Sequence, residues 1–252
     1  DVTRFQNYHL RKGGVATIFT HPNDHPYDSG LIVSDNSVVI KWLHKEDDRL
    51  WYKNRVNAGI HLLSARIFDL PVFRNKEKID LDRDVLKCLI QTGDLICYDS
   101  PEYAKDMGTP ERFYEVENDI INGKVKLRSL DNKQKAIFLD RDGTLNKYVG
   151  FLRNLQDLEL IDGVCDAIKK INKSEYLAVV ITNQPVIARG EVTEKELEEI
   201  HNKLETLLGN EGAFVDAIYY CPHHPDSGFD GEIKALKIEC NCRKPKPGLL
   251  LK

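Results

Sequence analysis

The chain has 252 residues, a formal net charge of −4, 30% charged residues and 41% hydrophobic residues. This length is sufficient for one large domain or for two ordinary domains, each with its own core. The nearly balanced charge gives no preference for polyanions, so nucleic acid is not an expected partner. No run approaches the roughly 18 to 20 apolar residues of a membrane span, and residues 1–10 lack the regions of a signal peptide. The expected location is therefore the cytoplasm, without a membrane partner.

The first half of the sequence predicts short strands and one amphipathic helix. GVATIFT (14–20) is typical of a strand, and SGLIVSDNSVVIKW (29–42) predicts two strands around a turn at Asp35-Asn36. DRDVLKCLIQTGDLICYD (82–99) predicts a helix, a stop at Gly93 and a further strand. Residues 115–135 are polar, without a strong apolar period at their end, so a domain boundary is placed near residue 133. The predicted domains are residues 1–130 and 134–252.

The second half alternates between apolar strands and helices. KAIFLD (135–140), LAVVIT (177–182) and DAIYYC (216–221) predict buried strands, and residues 163–176 and 193–209 predict helices between them. Thr193 and Glu196 form a capping box for the second helix. This alternation predicts an α/β fold with a doubly wound parallel sheet, covered by helices on both faces. The working site of such a sheet lies at the carboxyl ends of its strands, where Asp140, Thr182 and Cys221 stand.

Two aspartates follow the first of these strands in FLDRDGTL (138–145). A carboxylate such as Asp140 can attack phosphorus, and a second carboxyl such as Asp142 can protonate the departing oxygen. The pair also offers hard oxygen ligands for Mg²⁺. The alternative interpretation is a solvated Asp-x-Asp-Gly turn, which the preceding apolar strand disfavours.

A group of cysteine and histidine residues lies within the last 32 residues of the sequence. Cys221, His223, Cys240 and Cys242 supply three thiolates and one imidazole, the ligand set of a closed structural zinc site. A redox pair is the competing interpretation, but C-x-C lacks the C-x-x-C spacing. His224 is expected to be an exposed loop residue. The remaining cysteines are expected to be inert core thiols: Cys88, Cys97 and Cys165.

The motifs DRDGT and VVITNQ (179–184) resemble those of the haloacid dehalogenase superfamily of phosphohydrolases. The resemblance implies a phospho-aspartyl intermediate on Asp140, with Asp142 as general acid and then general base. It implies that Thr182 and neighbouring amides hold the transferring phosphoryl group. Substrate contacts are implied for three further residues: Arg141, Asn183 and Gln184.

IYYCPHHP and CNCRKPKPG extend the resemblance to the zinc-loop branch, the D-glycero-D-manno-heptose 1,7-bisphosphate 7-phosphatases, over about residues 135–252. It implies that Lys244 stabilises the nucleophile and the phosphoryl charge, and that Arg243 binds the other phosphate of the substrate. These roles suit a lysine point charge and an arginine fork. Pro185 and Val186 stand where that family usually has serine and glycine. The family's last acidic motif is expected beyond Lys252.

The first half resembles the latter part of sugar-1-phosphate nucleotidyltransferases, through ATIFTHPNDHPYDSGLIV, VNAGIHLLSARIF and YAKDMGTPERF. The resemblance implies that Asn57 and Gly59 border the sugar and that Asp106 is a metal-binding carboxylate. Thr109 is expected to cap a helix that begins with Pro110. That family's glycine-rich nucleotide loop is not found in this sequence.

Together these features favour a sugar bisphosphatase that requires Mg²⁺ for catalysis and Zn²⁺ for structure. Its predicted partners are a phosphosugar substrate and, in a longer chain, a nucleoside triphosphate. A phosphatase that leaves a sugar 1-phosphate would supply the substrate of the attached nucleotidyltransferase. Two alternatives remain: a histidinol-phosphate phosphatase, and a nucleotidyltransferase with a zinc-ordered structural module.

Overall fold

The computed structural model describes residues 1–75, 77–228 and 230–251 of the chain. The predicted domains also include Lys76, Phe229 and Lys252, which lie outside the described residues. The chain divides into two compact units. The first unit comprises Asp1–Arg49 and Asn54–Gln134, and the second comprises Leu50–Lys53 and Lys135–Lys252. Residues 50–53 thus belong to the second unit, although they fall within the range predicted for the first domain.

The first unit is built on five strands in one mixed sheet. Its helices and strands are α1 (Val2–Lys12), β1 (Ala16–His21), β2 (Leu31–Asp35), β3 (Val38–Leu43), β4 (Val56–Leu63), α2 (Val72–Asn75), α3 (Lys87–Thr92), β5 (Leu95–Asp99), α4 (Pro110–Ile121) and α5 (Lys124–Leu127). The strand order is β1-β4-β2-β3-β5, and the sheet closes on itself because β5 also pairs with β1 in parallel.

Local sequence explains where these elements end. Gly93 ends α3 with φ 73°, a left-handed conformation that costs glycine little, and the predicted helix, stop and strand are confirmed here. A π-helical segment, Leu81–Leu86, leads into α3. The turn between β2 and β3 lies at Asn36 and Ser37, both with positive φ, and therefore one residue later than predicted. Positive φ at both central residues matches the right-handed twist of the paired strands.

Helix α4 begins where the sequence predicts a helix start and continues into the polar segment 115–135. Thr109 caps α4 by accepting a hydrogen bond from the Arg112 amide, with Pro110 in the first turn, as predicted. Helix α4 continues to Ile121, and α5 follows. Weak apolar periodicity did not prevent helix formation here, because capping and helix-compatible side chains support α4 without deep burial.

The second unit is a three-stranded parallel sheet with helices. Its elements are β6 (Lys135–Leu139), α6 (Val164–Lys173), β7 (Tyr176–Asn183), α7 (Pro185–Ala188), α8 (Glu194–Asn210) and β8 (Ala217–Cys221). The strand order is β6-β7-β8, and both pairings are parallel. The predicted strands, the two helices and the Thr193–Glu196 capping box are confirmed, and the second unit has the predicted α/β character.

The two faces of β7 are covered differently. Ala178 and Val180 pack with buried residues of α6 and α8, such as Ile168 and Ile200. Val179, on the opposite face, belongs to a second cluster that also includes residues of the C-terminal loop. The strands β6, β7 and β8 follow one another in the sheet, and right-handed crossovers then place α6 and α8 on the same face. Among the described residues, the predicted cover by α-helices on both faces is therefore wrong.

Strand β6 is not buried as predicted. Ile137 is 36% exposed and Phe138 is 45% exposed. The reason is that β6 lies at the edge of the described sheet and has β7 as its only paired neighbour there. The apolar run of this strand therefore predicted its conformation but not its burial.

Candidate functional site

The candidate site lies at the carboxyl ends of the three parallel strands. Asp140 follows the last residue of β6, Thr182 and Asn183 close β7, and Cys221 is the last residue of β8. Because parallel strands end at the same edge of the sheet, the topology brings these side chains together from distant parts of the chain. The loop that contains Arg243 and Lys244 reaches the same edge.

Asp140 and Lys244 form the most direct contact of the site. Lys244 Nζ lies 2.9 Å from Asp140 Oδ1 and also donates a 2.8 Å hydrogen bond to the carbonyl oxygen of Ile181. The Arg141 amide donates to the same carboxylate oxygen at 2.8 Å. The Asp140 side chain is still 47% exposed. It therefore combines access from solvent with a fixed cation, as a nucleophile toward an anionic ester requires.

Asp142 is held by a buried arginine. Arg141 is 0% exposed, and its Nη2 donates to both carboxylate oxygens of Asp142, at 3.0 and 2.9 Å, while Nε donates to Oδ1 at 3.1 Å. Asn146 Nδ2 donates a further bond to Oδ1 at 3.1 Å. Desolvation lowers the pKa of Arg141, and the charge of Asp142 opposes this shift. Asp142 is thus the counter-ion that permits a guanidinium to lie in the interior.

The Arg141 side chain is completely buried and is bonded to Asp142 through two nitrogens. A substrate contact of this residue stays a prediction. Gln184 is 2% exposed and is part of the same network. Its Oε1 accepts from Arg141 Nη2 at 2.9 Å, and its Nε2 donates to Asp142 Oδ2 and to Thr182 Oγ1, both at 2.9 Å. The Gln184 side chain is thus bonded within the protein, and its substrate contact stays a prediction.

Asn183 connects the end of β7 to the C-terminal loop. Its Oδ1 accepts from the Lys244 amide at 2.9 Å, and its Nδ2 donates to the Lys244 carbonyl oxygen at 3.2 Å. This reciprocal pair fixes the backbone of Lys244, so the Asn183 side chain acts on the lysine. A substrate contact of Asn183 stays a prediction.

Cys221, His223, Cys240 and Cys242 form the one group of three or more potential ligand side chains found among residues 1–75, 77–228 and 230–251. Their ligand atoms all lie within 4.8 Å of one another. The three sulfur atoms are 3.0, 3.3 and 3.5 Å apart, and His223 Nδ1 lies 3.2 Å from the Cys242 sulfur. A tetrahedral Zn²⁺ site with bonds of about 2.3 Å separates its sulfur ligands by about 3.8 Å. The donor set fits such an ion, and the sulfur atoms lie about 0.3–0.8 Å closer together than in that geometry.

Without a metal ion, the surroundings of Cys221 favour its neutral thiol. Burial raises the pKa of the Cys221 thiol, and hydrogen bonding with Cys242 raises it further. A bound cation reverses this preference because it binds the thiolate. Metal binding at this cluster would therefore release protons.

The cluster is continuous with the basic residues that follow it. Arg243 Nη1 donates to the His223 carbonyl oxygen at 3.3 Å, and the Gly248 amide donates to the Asn241 carbonyl oxygen at 2.8 Å. A Cβ atom on Gly248 would lie 2.4 Å from that carbonyl oxygen, so the loop requires glycine at this position. The same short loop thus carries two thiols of the cluster, Arg243 and Lys244.

Two predictions about cysteine and histidine residues are wrong. His224 is 8% exposed instead of lying on the surface, and its Nδ1 accepts from the Asp226 amide. Cys88 is exposed, because it lies on α3 away from the core, and its thiol donates to the Asp84 carbonyl oxygen. Cys97 is buried as predicted, and Cys165 is partly buried.

The predicted residues of the first unit are engaged in local contacts. Asp106 accepts from the Gly108 amide at 3.0 Å and from Arg112 Nη1 at 2.6 Å, and it is 69% exposed. Asn57 Oδ1 accepts from the Gly59 amide at 3.1 Å and lies 3.1 Å from His61 Nε2. Asp106 thus closes a short turn, as Asp commonly does, whereas Asn57 bonds within β4 at the register shift beside Gly59.

Two residues of the network were not predicted from the sequence: Asn146 and His201. His201 is buried, and its Nε2 lies 3.3 Å from Arg141 Nη1. A signal for His201 was present, because it interrupts the apolar stripe of α8 that Leu197, Ile200 and Leu204 form. Asn146 is completely buried beside Asp142, and nothing in its spacing distinguished it from a turn residue.

Comparison with known proteins gives similarity over the second half of the chain. The chain is 45% identical over 116 residues to a D-glycero-β-D-manno-heptose-1,7-bisphosphate 7-phosphatase of Salmonella typhi, covering 46% of the chain and 60% of the relative. The enzyme of the same name from Haemophilus influenzae is 44% identical over 117 residues, covering 46% and 61%. The chain thus spans about three fifths of the length of these relatives.

A similar solved structure is a D,D-heptose 1,7-bisphosphate phosphatase from B. bronchiseptica in complex with magnesium and phosphate. It is 36% identical, with a TM-score of 0.40, and covers 46% of the chain and 60% of that structure. No family model matches the chain. Among the described residues, none of the helices has the length and apolar character needed to cross a membrane.

Proposed function

We propose that the second unit is a phosphatase that removes the 7-phosphate from D-glycero-β-D-manno-heptose 1,7-bisphosphate. The observation that carries this proposal is the 2.9 Å contact of Lys244 with a solvent-accessible Asp140 at the carboxyl edge of a parallel sheet. The 41–45% identity to curated heptose bisphosphate phosphatases supports the choice of substrate.

In the first half of the proposed reaction, a carboxylate oxygen of Asp140 attacks the phosphorus of the 7-phosphate. The bond from phosphorus to the sugar oxygen breaks, and Asp142, which in the proposed substrate complex has taken up a proton from solvent, gives this proton to that oxygen. Lys244 and Thr182 stabilise the charge on the transferring phosphoryl group. Asp142 is positioned for proton transfer by Arg141, Gln184 and Asn146.

In the second half, water attacks the phosphorus of the phospho-aspartyl group. Asp142, now a carboxylate, accepts a proton from this water, and the bond between Asp140 and phosphorus breaks. Inorganic phosphate leaves, and both carboxyl groups return to their starting forms. The alcohol and the phosphate together account for all atoms of the ester and the water.

Two cations complete the proposal. Asp140 and Asp142 offer the carboxylate oxygens that suit Mg²⁺, which would neutralise phosphate charge when bound. The four Cys and His ligands suit Zn²⁺, which would order the loop that carries Arg243 and Lys244. Arg243 is proposed to bind the 1-phosphate of the substrate, which remains on the product.

We also propose, from the sequence resemblance alone, that the first unit is part of a sugar-1-phosphate nucleotidyltransferase. Loss of the 7-phosphate leaves a sugar 1-phosphate, the class of substrate that such an enzyme consumes. Isothermal titration of the protein with sugar 1-phosphate tests this proposal, because the nucleotide loop of that family is not found in this sequence. Absence of sugar 1-phosphate binding would refute it.

The phosphatase proposal is tested by incubating the protein with the heptose bisphosphate and Mg²⁺ and following ³¹P NMR signals. The 7-phosphate signal should disappear while the 1-phosphate signal persists. Asp140→Asn should slow this release by roughly 10³-fold or more, because the nucleophile is removed. Asp166→Asn, at an exposed carboxylate of α6 paired with Lys169, is the control. Normal release by Asp140→Asn, or faster hydrolysis of histidinol phosphate, would overturn the proposal.

A further inference from the structure

His201 is a buried histidine for which the proposed reaction gives no role. It lies on α8 among Leu197, Ile200 and Leu204, which form part of the apolar surface of this helix. The side chain is 7% exposed. A polar ring in such a position is costly unless it makes a hydrogen bond.

The partner of His201 is Arg141. His201 Nε2 lies 3.3 Å from Arg141 Nη1. An arginine nitrogen can only donate, so Nε2 must be the acceptor, and the ring must be the neutral tautomer with its proton on Nδ1. Burial, followed by the charge of Arg141, lowers the pKa of His201 to about 3. The ring is therefore neutral at physiological pH.

His201 accounts for the side of the guanidinium that Asp142 does not reach. Nε and Nη2 of Arg141 are bonded to Asp142 and Gln184, whereas Nη1 is directed to His201. The plane of a guanidinium is rigid, so contacts at both ends fix its orientation. The same orientation fixes the Asp142 carboxylate, to which Arg141 is bonded through two nitrogens.

We propose that His201 is a positioning residue: as a neutral acceptor it orients Arg141, and through Arg141 it holds Asp142 in the geometry needed for proton transfer. This inference rests on the proposed phosphatase function for its kinetic consequence, but its structural part does not depend on the substrate. His201 itself touches neither the substrate nor the reacting atoms. Its effect is expected in the chemical step, because proton transfer depends on the placement of Asp142.

The test compares three variants of the whole protein. His201→Leu removes the acceptor with a similar volume, and His201→Gln places an amide oxygen near the position of Nε2. Ile200→Val is the matched control, since Ile200 is a buried neighbour on the same helix that packs in the apolar core. Measurements are kcat and KM for the heptose bisphosphate, the midpoint of thermal unfolding, and the ¹⁵N NMR signals of the Arg141 guanidinium.

We expect His201→Leu to lower kcat by roughly 10-fold with KM changed by less than about two-fold. His201→Gln should recover most of this loss, and Ile200→Val should retain the wild-type kcat. Equal kcat for His201→Leu and Ile200→Val would overturn the inference. It would also be overturned if His201→Gln and His201→Leu lost kcat equally, in proportion to their loss of thermal stability.

The NMR measurement separates failure of this inference from failure of the proposed function. If the wild-type protein releases no phosphate from any ester, the function is wrong, and the guanidinium signals alone decide the role of His201. His201→Leu should then speed solvent exchange of the Arg141 side-chain protons, while His201→Gln should preserve their protection. Unchanged exchange in His201→Leu would overturn the inference independently of activity.

Discussion

The candidate residues of the two units differ in the range of their contacts. In the second unit, Asn183 and Lys244 bond to each other although they are 61 positions apart, and Arg141 reaches His201 across 60 positions. In the first unit, Asp106 bonds to residues two and six positions later. Short-range contacts of Asp and Asn are the ordinary chemistry of turns. Convergence of side chains from separate strands is what distinguishes a site from a turn.

The largest effect that this comparison predicts is at the Cys and His cluster. Cys240→Ser should reduce bound zinc from about one equivalent to a small fraction, since it removes one of four ligands. The free energy of unfolding should fall by on the order of 3 kcal/mol or more, because metal binding contributes to folding. Elemental analysis and denaturant unfolding measure these changes.

Cys88→Ser is the control for the metal site, because Cys88 is an exposed thiol of the first unit. It should retain both the zinc and the stability of the wild type. Equal zinc content in Cys240→Ser and the wild type would show that Cys240 is not a zinc ligand. Zinc loss in Cys88→Ser would show that a residue of the first unit contributes to zinc binding.

Acid should change the contributions of His201 and His25 to folding stability in opposite directions. Burial lowers the folded-state pKa of His201 to about 3, so between pH 6.5 and 3 the unfolded chain binds a proton that the folded protein does not. Stability is then lost as the pH falls through this window, at roughly 1 kcal/mol per pH unit. A hydrogen bond with Asp24 raises the pKa of His25, so its contribution is complete below pH 6.5 and is lost as the pH rises through the raised value.

Denaturant unfolding at pH 7 and pH 4.5 tests this contrast. His201→Gln should lose less stability on acidification than the wild type, by roughly 2 kcal/mol over this range. His25→Gln should lose more than the wild type, because it lacks the contribution that protonation gives. If the unfolding free energies of His201→Gln and the wild type fell equally on acidification, the His201 ring would not be neutral and buried in the folded protein.

Two asparagines of the second unit separate positioning of the lysine from ordinary stability. The Asn183 side chain bonds to both the amide and the carbonyl oxygen of Lys244. Asn172 forms the same two bonds with the backbone of Phe214, at 2.9 and 3.0 Å. Asn183→Leu should lower kcat of phosphate release by roughly 10-fold, because Lys244 is no longer fixed beside Asp140. Asn172→Leu should lower thermal stability without this loss of kcat. Equal kcat values for the two variants would contradict the positioning of Lys244 by Asn183.

Much of the second unit could be predicted because its strands and helices carry strong local patterns. The apolar run 177–182 and the capping box at Thr193 are sufficient to place β7 and α8. Asp140 was recognised because it follows a strand end, and the four Cys and His residues because together they form a zinc ligand set. Lys244 was recognised only through the family resemblance. The sequence pattern therefore located the edge of the sheet at which the site lies.

The burial of Arg141 and Gln184 could not be predicted, because periodicity does not report burial for residues that lie between regular elements. An arginine between two aspartates resembles a solvated charge run, and only the fold shows that it is 0% exposed. The exposure of Phe138 has a similar cause, since an apolar strand has the same sequence pattern at the edge or in the centre of a sheet. The assignment of residues 50–53 to the second unit could not be predicted either, because Tyr52 bonds to Thr206, which is 154 positions away in the sequence.

The smallest predicted effect is at Asp106. Asp106→Asn keeps an oxygen that can accept from the Gly108 amide, so it removes only the ion pair with Arg112, whose side chain is 39% exposed. Exposed pairs contribute about 0–1 kcal/mol, so the unfolding free energy should change by less than about 1 kcal/mol. The variant should also keep any stabilisation by Mg²⁺ that the wild type shows in thermal unfolding. Selective loss of that stabilisation in Asp106→Asn would instead identify Asp106 as a metal ligand, and the contrast between a convergent site and a local turn would then fail for the first unit.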